Sequence, residues 1–250
     1  AWRTPHDWKG WWYGDRPFLD EGAEGASGGY LTKAEAKELV EYAADRYITI
    51  IPEIEMPGHS DEVLAAYPEL KCTHNPDNQG ELCIGKEATF EMMQAILDEV
   101  IAIFPSEYIH IGGDEASKEN WKLCEDCQRR MREEGLESVE ELQSYMIHRI
   151  EEYLNARGRQ IIGWDEILEG GLAPNATVMS WRGEEGGLMA AEAGVDIVDA
   201  AVSSMSGLTS QPSLDAIVAA LEGTERDTGL DLRRVQELSS YYSDVRLRYE

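Results

Sequence analysis

The sequence has no uninterrupted apolar run near the roughly 20 residues that a membrane-spanning helix needs, so we expect no membrane partner. Basic residues are scarce: 22 Lys and Arg stand against 49 Asp and Glu in 250 residues, for a formal net charge of -27. Such a chain repels phosphate backbones, so we also expect no nucleic-acid partner. Neutral ligands such as sugars meet no such barrier. The hydrophobic content of 42% is sufficient for a folded core.

A signal peptide is not recognisable at the start of the sequence. The first residues, Ala1-Trp2-Arg3-Thr4, offer neither a basic n-region nor an apolar h-region. Because the chain begins without Met, we expect a processed chain, an excised domain or a fragment. Targeting therefore predicts no compartment.

Cysteine is sparse, with Cys72, Cys83, Cys124 and Cys127 as the full set. The last two have C-x-x-C spacing, which occurs in zinc and redox sites. A second C-x-x-C is missing, and His74 is the only further ligand candidate near Cys72. Free thiols or local disulfides are thus favoured over a structural metal, and we predict no metal ligands.

Apolar strands alternate with amphipathic helices along the chain. Residues 1–30, rich in Trp and Gly, are predicted to form a long loop. Helices are predicted over residues 32–46, 89–104, 138–157 and 187–193, and strands over residues 47–51, 108–111, 160–163, 177–180 and 195–198. Polar or aromatic residues follow these strands. The pattern predicts an α/β fold of the (β/α)8 TIM-barrel type, incomplete because about five βα units are visible.

Two adjacent acids, Asp114 and Glu115, follow the strand at 108–111 and the turn Gly112-Gly113. Side chains at the carboxyl end of a parallel strand face the ligand site. Neighbouring carboxylates cannot titrate independently, so one suits charge stabilisation and the other general acid catalysis. Such a pair is compatible with the hydrolysis of glycosides, which uses two acids. The alternative is a turn with two solvated acids.

Four motifs lie at the ends of predicted strands: PEIEMPGH at 52–59, HIGGDE at 110–115, GWDE at 163–166 and SWRG at 180–183. Together they resemble the β-N-acetylhexosaminidases of glycoside hydrolase family 20, over about residues 1–187. The resemblance implies substrate-assisted retaining hydrolysis of terminal non-reducing N-acetylhexosamine, in which the 2-acetamido group is the nucleophile. It implies that Glu115 is the acid and base, and that Asp114 orients the acetamide and stabilises positive charge.

The same resemblance implies a set of substrate-binding residues. Trp164 and Trp181 would line the acetamide and ring pocket, although they could be core aromatics. His59 matches a histidine that supports the catalytic pair, although it could cap a turn. Asp165 and Glu166 would contact the substrate at the rim or support it from behind.

The implied partners are glycans that end in N-acetylglucosamine or N-acetylgalactosamine, and no cofactor is implied. The location is unknown from the sequence, and the resemblance suggests a periplasmic or secreted one. The family strands that supply a sugar-binding arginine and an acidic partner for His59 are not recognisable. A catalytically inactive carbohydrate-binding or structural barrel fragment is therefore the alternative function. Exposed sheet edges would favour a homo-oligomer.

The sequence from about residue 190 onward resembles a different family. Residues 192–201 (EAGVDIVDAA), 206–213 (SGLTSQPS) and 225–230 (ERDTGL) resemble the carboxyltransferase barrel of pyruvate carboxylases, whose active-site threonine matches Thr209. A carboxyltransferase fragment is disfavoured, since the metal-binding lysine and histidines are absent. We expect a chimera joined near residues 187–195, with a hexosaminidase-like partial barrel at 1–187. Residues 188–250 would pack on the same barrel.

Overall fold

The computed structural model describes residues 4–5, 26–27, 30–74, 80–182, 189, 200–205, 213–225 and 227–246. The chain divides into two compact units, Ala1–Ile50 and Ile51–Glu250.

The first unit contains a short sheet and one helix. Strand β1 (Thr4–Pro5) pairs antiparallel with β2 (Ala26–Ser27), so part of the predicted long loop at residues 1–30 is a two-stranded sheet. Most of that region lies outside the described residues. Helix α1 (Lys33–Ala44) begins with the predicted capping box: the Glu35 N–H donates to Thr32 Oγ1 at 3.2 Å, and the Thr32 N–H donates to Glu35 Oε2 at 2.7 Å.

The second unit is built on a parallel sheet of three strands in the order β3-β4-β5. These strands are β3 (Tyr108–His110), β4 (Gln160–Trp164) and β5 (Thr177–Met179). Ile109 pairs with Ile161, and Gly163 pairs with Val178. The strands predicted at 108–111, 160–163 and 177–180 are confirmed. Short apolar runs of this kind are typical of a parallel sheet that is buried on both faces.

The strand predicted at residues 47–51 is wrong. The segment that runs parallel to β3 lies further on: His110 N–H donates to the Pro52 carbonyl at 2.9 Å, and Met56 N–H donates to the Ile111 carbonyl at 3.1 Å. Pro52 was interpreted as the end of a strand. It instead begins the paired segment, where its missing N–H costs nothing.

Five helices of the second unit contribute side chains to its buried core. They are α2 (Asp61–Ala66), α3 (Glu87–Ile103), α4 (Glu119–Leu123), α5 (Glu125–Glu134) and α6 (Val139–Asn155). The predictions at 89–104 and 138–157 agree with α3 and α6 within about two residues. Phe90 and Leu97 of α3 share one buried core with Leu142 and Ile150 of α6. Helices that follow and precede parallel strands in this way are typical of α/β barrels.

The carboxyl-terminal part contains a 3₁₀ helix (Ser203–Met205), α7 (Leu214–Leu221) and α8 (Leu232–Arg246), which pack together. The predicted helix at 187–193, the predicted strand at 195–198 and Thr209 lie outside the described residues, apart from Met189. Among the described helices, none combines the length and the apolarity needed to cross a membrane.

Candidate active site

The turn after β3 places two acids at the carboxyl end of the sheet. Gly112 and Gly113 have φ angles of +68° and +99°, which a residue without Cβ adopts without strain. The Gln143 side chain donates to the Gly113 carbonyl at 2.7 Å and fixes the turn from α6. Asp114 and Glu115 follow this turn directly, so they lie at the strand end where the sequence predicts them.

His59 contacts both carboxylates. Its Nε2 lies 3.2 Å from Asp114 Oδ2 and 3.3 Å from Glu115 Oε2. The Asp114 side chain is 15% exposed, whereas that of Glu115 is 56% exposed. The pair thus combines a nearly enclosed carboxylate with one that solvent and ligands reach, and a single imidazole spans them.

A second histidine lies beneath this pair. His110 is buried, and its Nδ1 lies 3.1 Å from Glu53 Oε1 and 3.1 Å from the Gly112 nitrogen. Burial lowers the pKa of His110. Trp164 packs on the His110 ring at 4.8 Å between centroids and donates from Nε1 to Glu53 Oε1 at 3.0 Å. Trp164, at the end of β4, is therefore held by the segment beside β3.

Glu55 adds a further carboxylate to the site. Burial, then the neighbouring charge of Asp114, raises the pKa of Glu55 to about 8. Glu55 Oε2, Asp114 Oδ1 and His110 Nε2 are buried atoms that have no hydrogen-bond partner among the described residues. Buried polar atoms are normally satisfied, and Glu55 in its protonated form can donate to Glu53 or Asp114.

The loops after β4 and β5 form a second group of charges. Asp165 is fully buried, and it accepts from Ser180 Oγ at 2.9 Å and from Arg182 Nε at 3.0 Å. Glu166 accepts from Trp181 Nε1 at 3.1 Å, and burial raises the pKa of Glu166. Here each acid has a partner within the protein, and the two acids fix the orientation of Trp181 and Arg182.

The structure thus brings the predicted residues together at the carboxyl ends of neighbouring strands. His59, Asp114 and Glu115 are in direct contact, whereas Asp165, Glu166 and Trp181 form a separate hydrogen-bonded group. Trp164 belongs to neither group: it donates a hydrogen bond to Glu53 and packs on the ring of His110. The substrate-binding roles of these residues remain predictions.

The sequence of the chain matches a known protein family. The model of the glycosyl hydrolase family 20 catalytic domain matches residues 8–206. The chain belongs to glycosyl hydrolase family 20. A β-hexosaminidase of Porphyromonas gingivalis is 50% identical over 178 residues, which are 68% of this chain and 23% of that protein. The chain thus spans about a quarter of that relative's length.

A solved family 20 structure is similar as well. The β-N-acetylhexosaminidase from Bacteroides fragilis superimposes with a TM-score of 0.64 and 36% identity, over 72% of this chain and 38% of that one. The fold is accordingly an incomplete α/β barrel of family 20, as predicted. A different match concerns a quarter of the chain: Pyruvate carboxylase 1 of Caenorhabditis elegans is 56% identical over 62 residues, which are 5% of that protein.

The sequence interpretation of this family 20 site missed three residues that the structure places in it. Glu53 and Glu55 lie within the motif at 52–59 and point to the same edge as Asp114. Arg182, in the motif at 180–183, also makes an ion pair with Glu169 at 3.1 Å. Their motifs were recognised, but only the structure reveals which charges of those motifs meet.

Two groups of side chains bring metal-binding atoms within 4.8 Å of one another among the described residues: His59 with Asp114 and Glu115, and the four cysteines. Acids that share a histidine at an active site occur without a metal. The prediction that the catalytic group has no metal therefore remains a prediction.

Proposed function

We propose that this chain carries the catalytic centre of a β-N-acetylhexosaminidase that removes terminal N-acetylhexosamine from glycans by substrate-assisted, retaining hydrolysis. The observation that carries the proposal is the adjacent pair Asp114 and Glu115 at the end of β3, one enclosed and one exposed, bridged by His59. Membership of family 20 supports it, together with relatives that are named β-hexosaminidases.

Asp114 is suited to bind the 2-acetamido group. Its Oδ2 contacts His59, while its Oδ1 is buried and has no partner within the described residues. An acetamide N–H donated to Oδ1 would fill that position and turn the acetamide oxygen towards the anomeric carbon. The carboxylate would then stabilise the positive charge that develops on the oxazolinium ring.

Glu115 is suited to transfer protons. Its exposed carboxyl group can reach the glycosidic oxygen of a sugar held by Asp114. In the first step the acetamide oxygen attacks the anomeric carbon, the glycosidic bond breaks and Glu115 protonates the leaving oxygen. In the second step Glu115 takes a proton from water, which opens the oxazolinium with net retention.

The two tryptophans are suited to enclose the sugar. Trp164 is held by Glu53 and Trp181 by Glu166, each through its indole N–H, so both ring planes are fixed before a ligand binds. Asp165 and Glu166 then act from behind the pocket by orienting Arg182 and Trp181. Rings that are fixed in advance lose less entropy when they contact a sugar.

The test is hydrolysis of a chromogenic N-acetyl-β-glucosaminide by the purified chain and by the Glu115→Gln variant. We expect the variant to lose about 100-fold or more of the rate, the usual contribution of general acid–base catalysis. The matched control is Glu119→Gln, which neutralises an exposed acid on α4 and should leave the rate unchanged. The corresponding β-glucoside, which has no acetamide, should not be cleaved.

Equal rates for the wild-type chain and Glu115→Gln would contradict the proposal. Binding of an oxazoline-like inhibitor without any turnover would favour the alternative, a carbohydrate-binding or structural barrel fragment. Association through sheet edges remains a prediction, which light scattering of the purified chain tests. A sharp monomer peak would count against it.

We propose further that the segment from about residue 188 to residue 250 derives from a carboxyltransferase-type barrel joined near residues 187–195. The match to a pyruvate carboxylase over a quarter of the chain supports this origin. The family 20 match extends to residue 206, beyond the proposed junction. Sequencing contiguous source DNA across the junction tests the proposal, and a family 20 sequence that continues on the other side would refute it.

A further inference from the structure

All four cysteines of the chain meet at one buried point. Cys72 follows the 3₁₀ helix Pro68–Leu70, and Cys83 lies in the loop before α3. Cys124 is the N-cap of α5, and Cys127 lies in the first turn of that helix. Each of the four side chains is fully buried. Cysteines that are far apart in the sequence thus lie next to one another in the fold.

The distances between the sulfur atoms fit a metal site. The Sγ atom of Cys83 lies 3.6 Å from that of Cys124 and 3.7 Å from that of Cys127. The Sγ atoms of Cys72 and Cys127 lie 4.0 Å apart. A disulfide needs about 2.05 Å between sulfurs. Four thiolates about 2.3 Å from a central zinc stand about 3.8 Å apart at the corners of a tetrahedron. We propose that Cys72, Cys83, Cys124 and Cys127 bind one structural zinc ion.

The arrangement favours a single closed zinc site over other thiol chemistry. All four Sγ atoms lie within 4.8 Å of one another, whereas the cysteines of an iron–sulfur cluster are spread over two or more irons and so stand further apart. A tetrahedral set of four thiolates leaves no open position for substrate, so the zinc is structural. His74, the ligand candidate suggested by the sequence, does not belong to this group.

The zinc would join two segments that lie behind the catalytic turn. Trp121 Nε1 of α4 donates to the Leu82 carbonyl at 2.9 Å, and Lys118 N–H donates to Glu81 Oε2 at 2.9 Å. A Cβ on Gly85 would lie 2.3 Å from the Cys127 nitrogen, so the two segments are in close backbone contact. The cysteines thus connect the loop at 80–86 to the stretch that follows Glu115, and the metal would fix both.

The first experiment measures metal and thiols in the full chain purified from zinc-supplemented medium. We expect about one zinc per chain by elemental mass spectrometry and four thiols that react only after a chelator and denaturant are added. Cobalt exchanged for the zinc should give the intense visible absorption of a tetrahedral thiolate site. Intact mass spectrometry that finds two disulfides, iron in place of zinc, or far less than one metal per chain would each overturn the proposal.

The second experiment compares variants. Cys124→Ser should lose the zinc, whereas Met93→Leu, which alters another buried sulfur-containing residue, should keep it. In the wild-type chain, a chelator should lower Tm by at least about 5 °C, and zinc but not magnesium should restore it. An unchanged Tm on chelation, in a protein that has released its metal, would show that the ion does not stabilise the fold. Metal content does not depend on hexosaminidase activity, so the two proposals can fail separately.

Discussion

Replacement of Glu55 by glutamine should stabilise the protein, and the gain should grow with pH. Glu55 is half-buried beside Asp114, and Oε2 of Glu55 has no partner among the described residues. Burial and the charge of Asp114 raise the pKa of Glu55 from 4.5 to about 8. The folded protein therefore retains a proton that the unfolded chain releases, and glutamine removes that requirement because it is neutral at every pH.

The sign and size follow from proton linkage. Between pH 4.5 and pH 8 the folded state binds more protons at Glu55 than the unfolded state does, so the stability of the wild-type protein falls as the pH rises through this range. The full pKa shift corresponds to about 5 kcal/mol at 1.36 kcal/mol per pH unit. Because the side chain is only partly buried, solvent screens part of this energy, and we expect a gain of about 2 kcal/mol.

The assay is urea unfolding of the wild-type chain, Glu55→Gln and Glu62→Gln from about pH 4.5 to about pH 9. Glu62 lies on α2 and is exposed, so Glu62→Gln removes the same charge away from the site. The difference in unfolding free energy between Glu55→Gln and the wild type should be smallest at the acidic end and reach its plateau above pH 8. A difference that is flat or decreases with pH would refute the reasoning, as would an equal trend in Glu62→Gln.

Two other substitutions test the packing of the site. Gly112→Ala should lower the unfolding free energy by about 3 kcal/mol and Gly135→Ala by about 1 kcal/mol. Their φ angles are alike (+68° and +69°), but a Cβ at 112 would lie 1.9 Å from Glu55 Oε2, whereas nothing lies within 4 Å of one at 135. Equal losses in urea unfolding would mean that the Glu55 side chain moves aside freely. Arg182→Gln should cost about 2 kcal/mol because fully buried Asp165 loses its charged partner, and Asp165→Asn in the same chain should recover part of that loss in thermal unfolding. A double variant less stable than Arg182→Gln would contradict this.

The strand ends could be predicted from the sequence because local pattern determines them. Apolar runs of strand length preceded Asp114, Trp164 and Trp181, and parallel strands bring their carboxyl ends to one edge. The pairing of residues 52–56 with β3 could not be predicted in the same way. The apolar run at 47–51 has an equally good strand pattern, and hydrogen bonds to β3, which are made between distant residues, select the later segment.

The meeting of the four cysteines was also beyond prediction from spacing. C-x-x-C identifies the pair at the start of α5, but it is the contacts of Trp121 with Leu82 and of Gly85 with Cys127 that hold the segment of Cys83 against it. Long-range packing of this kind leaves no periodic signal. The sequence interpretation favoured free thiols or local disulfides, and the structure has all four cysteines as free thiols. Their assembly into one metal site is our proposal.

The acids at the strand ends differ in whether a basic side chain neutralises them. After β4 and β5, the acids are compensated by cations: Arg182 contacts Asp165 and Glu169, and Lys118 forms an ion pair with Glu169.

Four carboxylates surround the turn after β3, those of Glu53, Glu55, Asp114 and Glu115. Two imidazoles lie among them, His59 and His110, and burial lowers the pKa of His110. Carboxylates that are partly buried beside like charges cost stability, as Glu55 shows: burial, then the charge of Asp114, raises the pKa of Glu55 to about 8. Enzymes tolerate that cost where a transition state supplies the missing opposite charge. The cationic ring formed during substrate-assisted hydrolysis would develop beside Asp114, on the side of the site where the protein leaves its negative charge unbalanced.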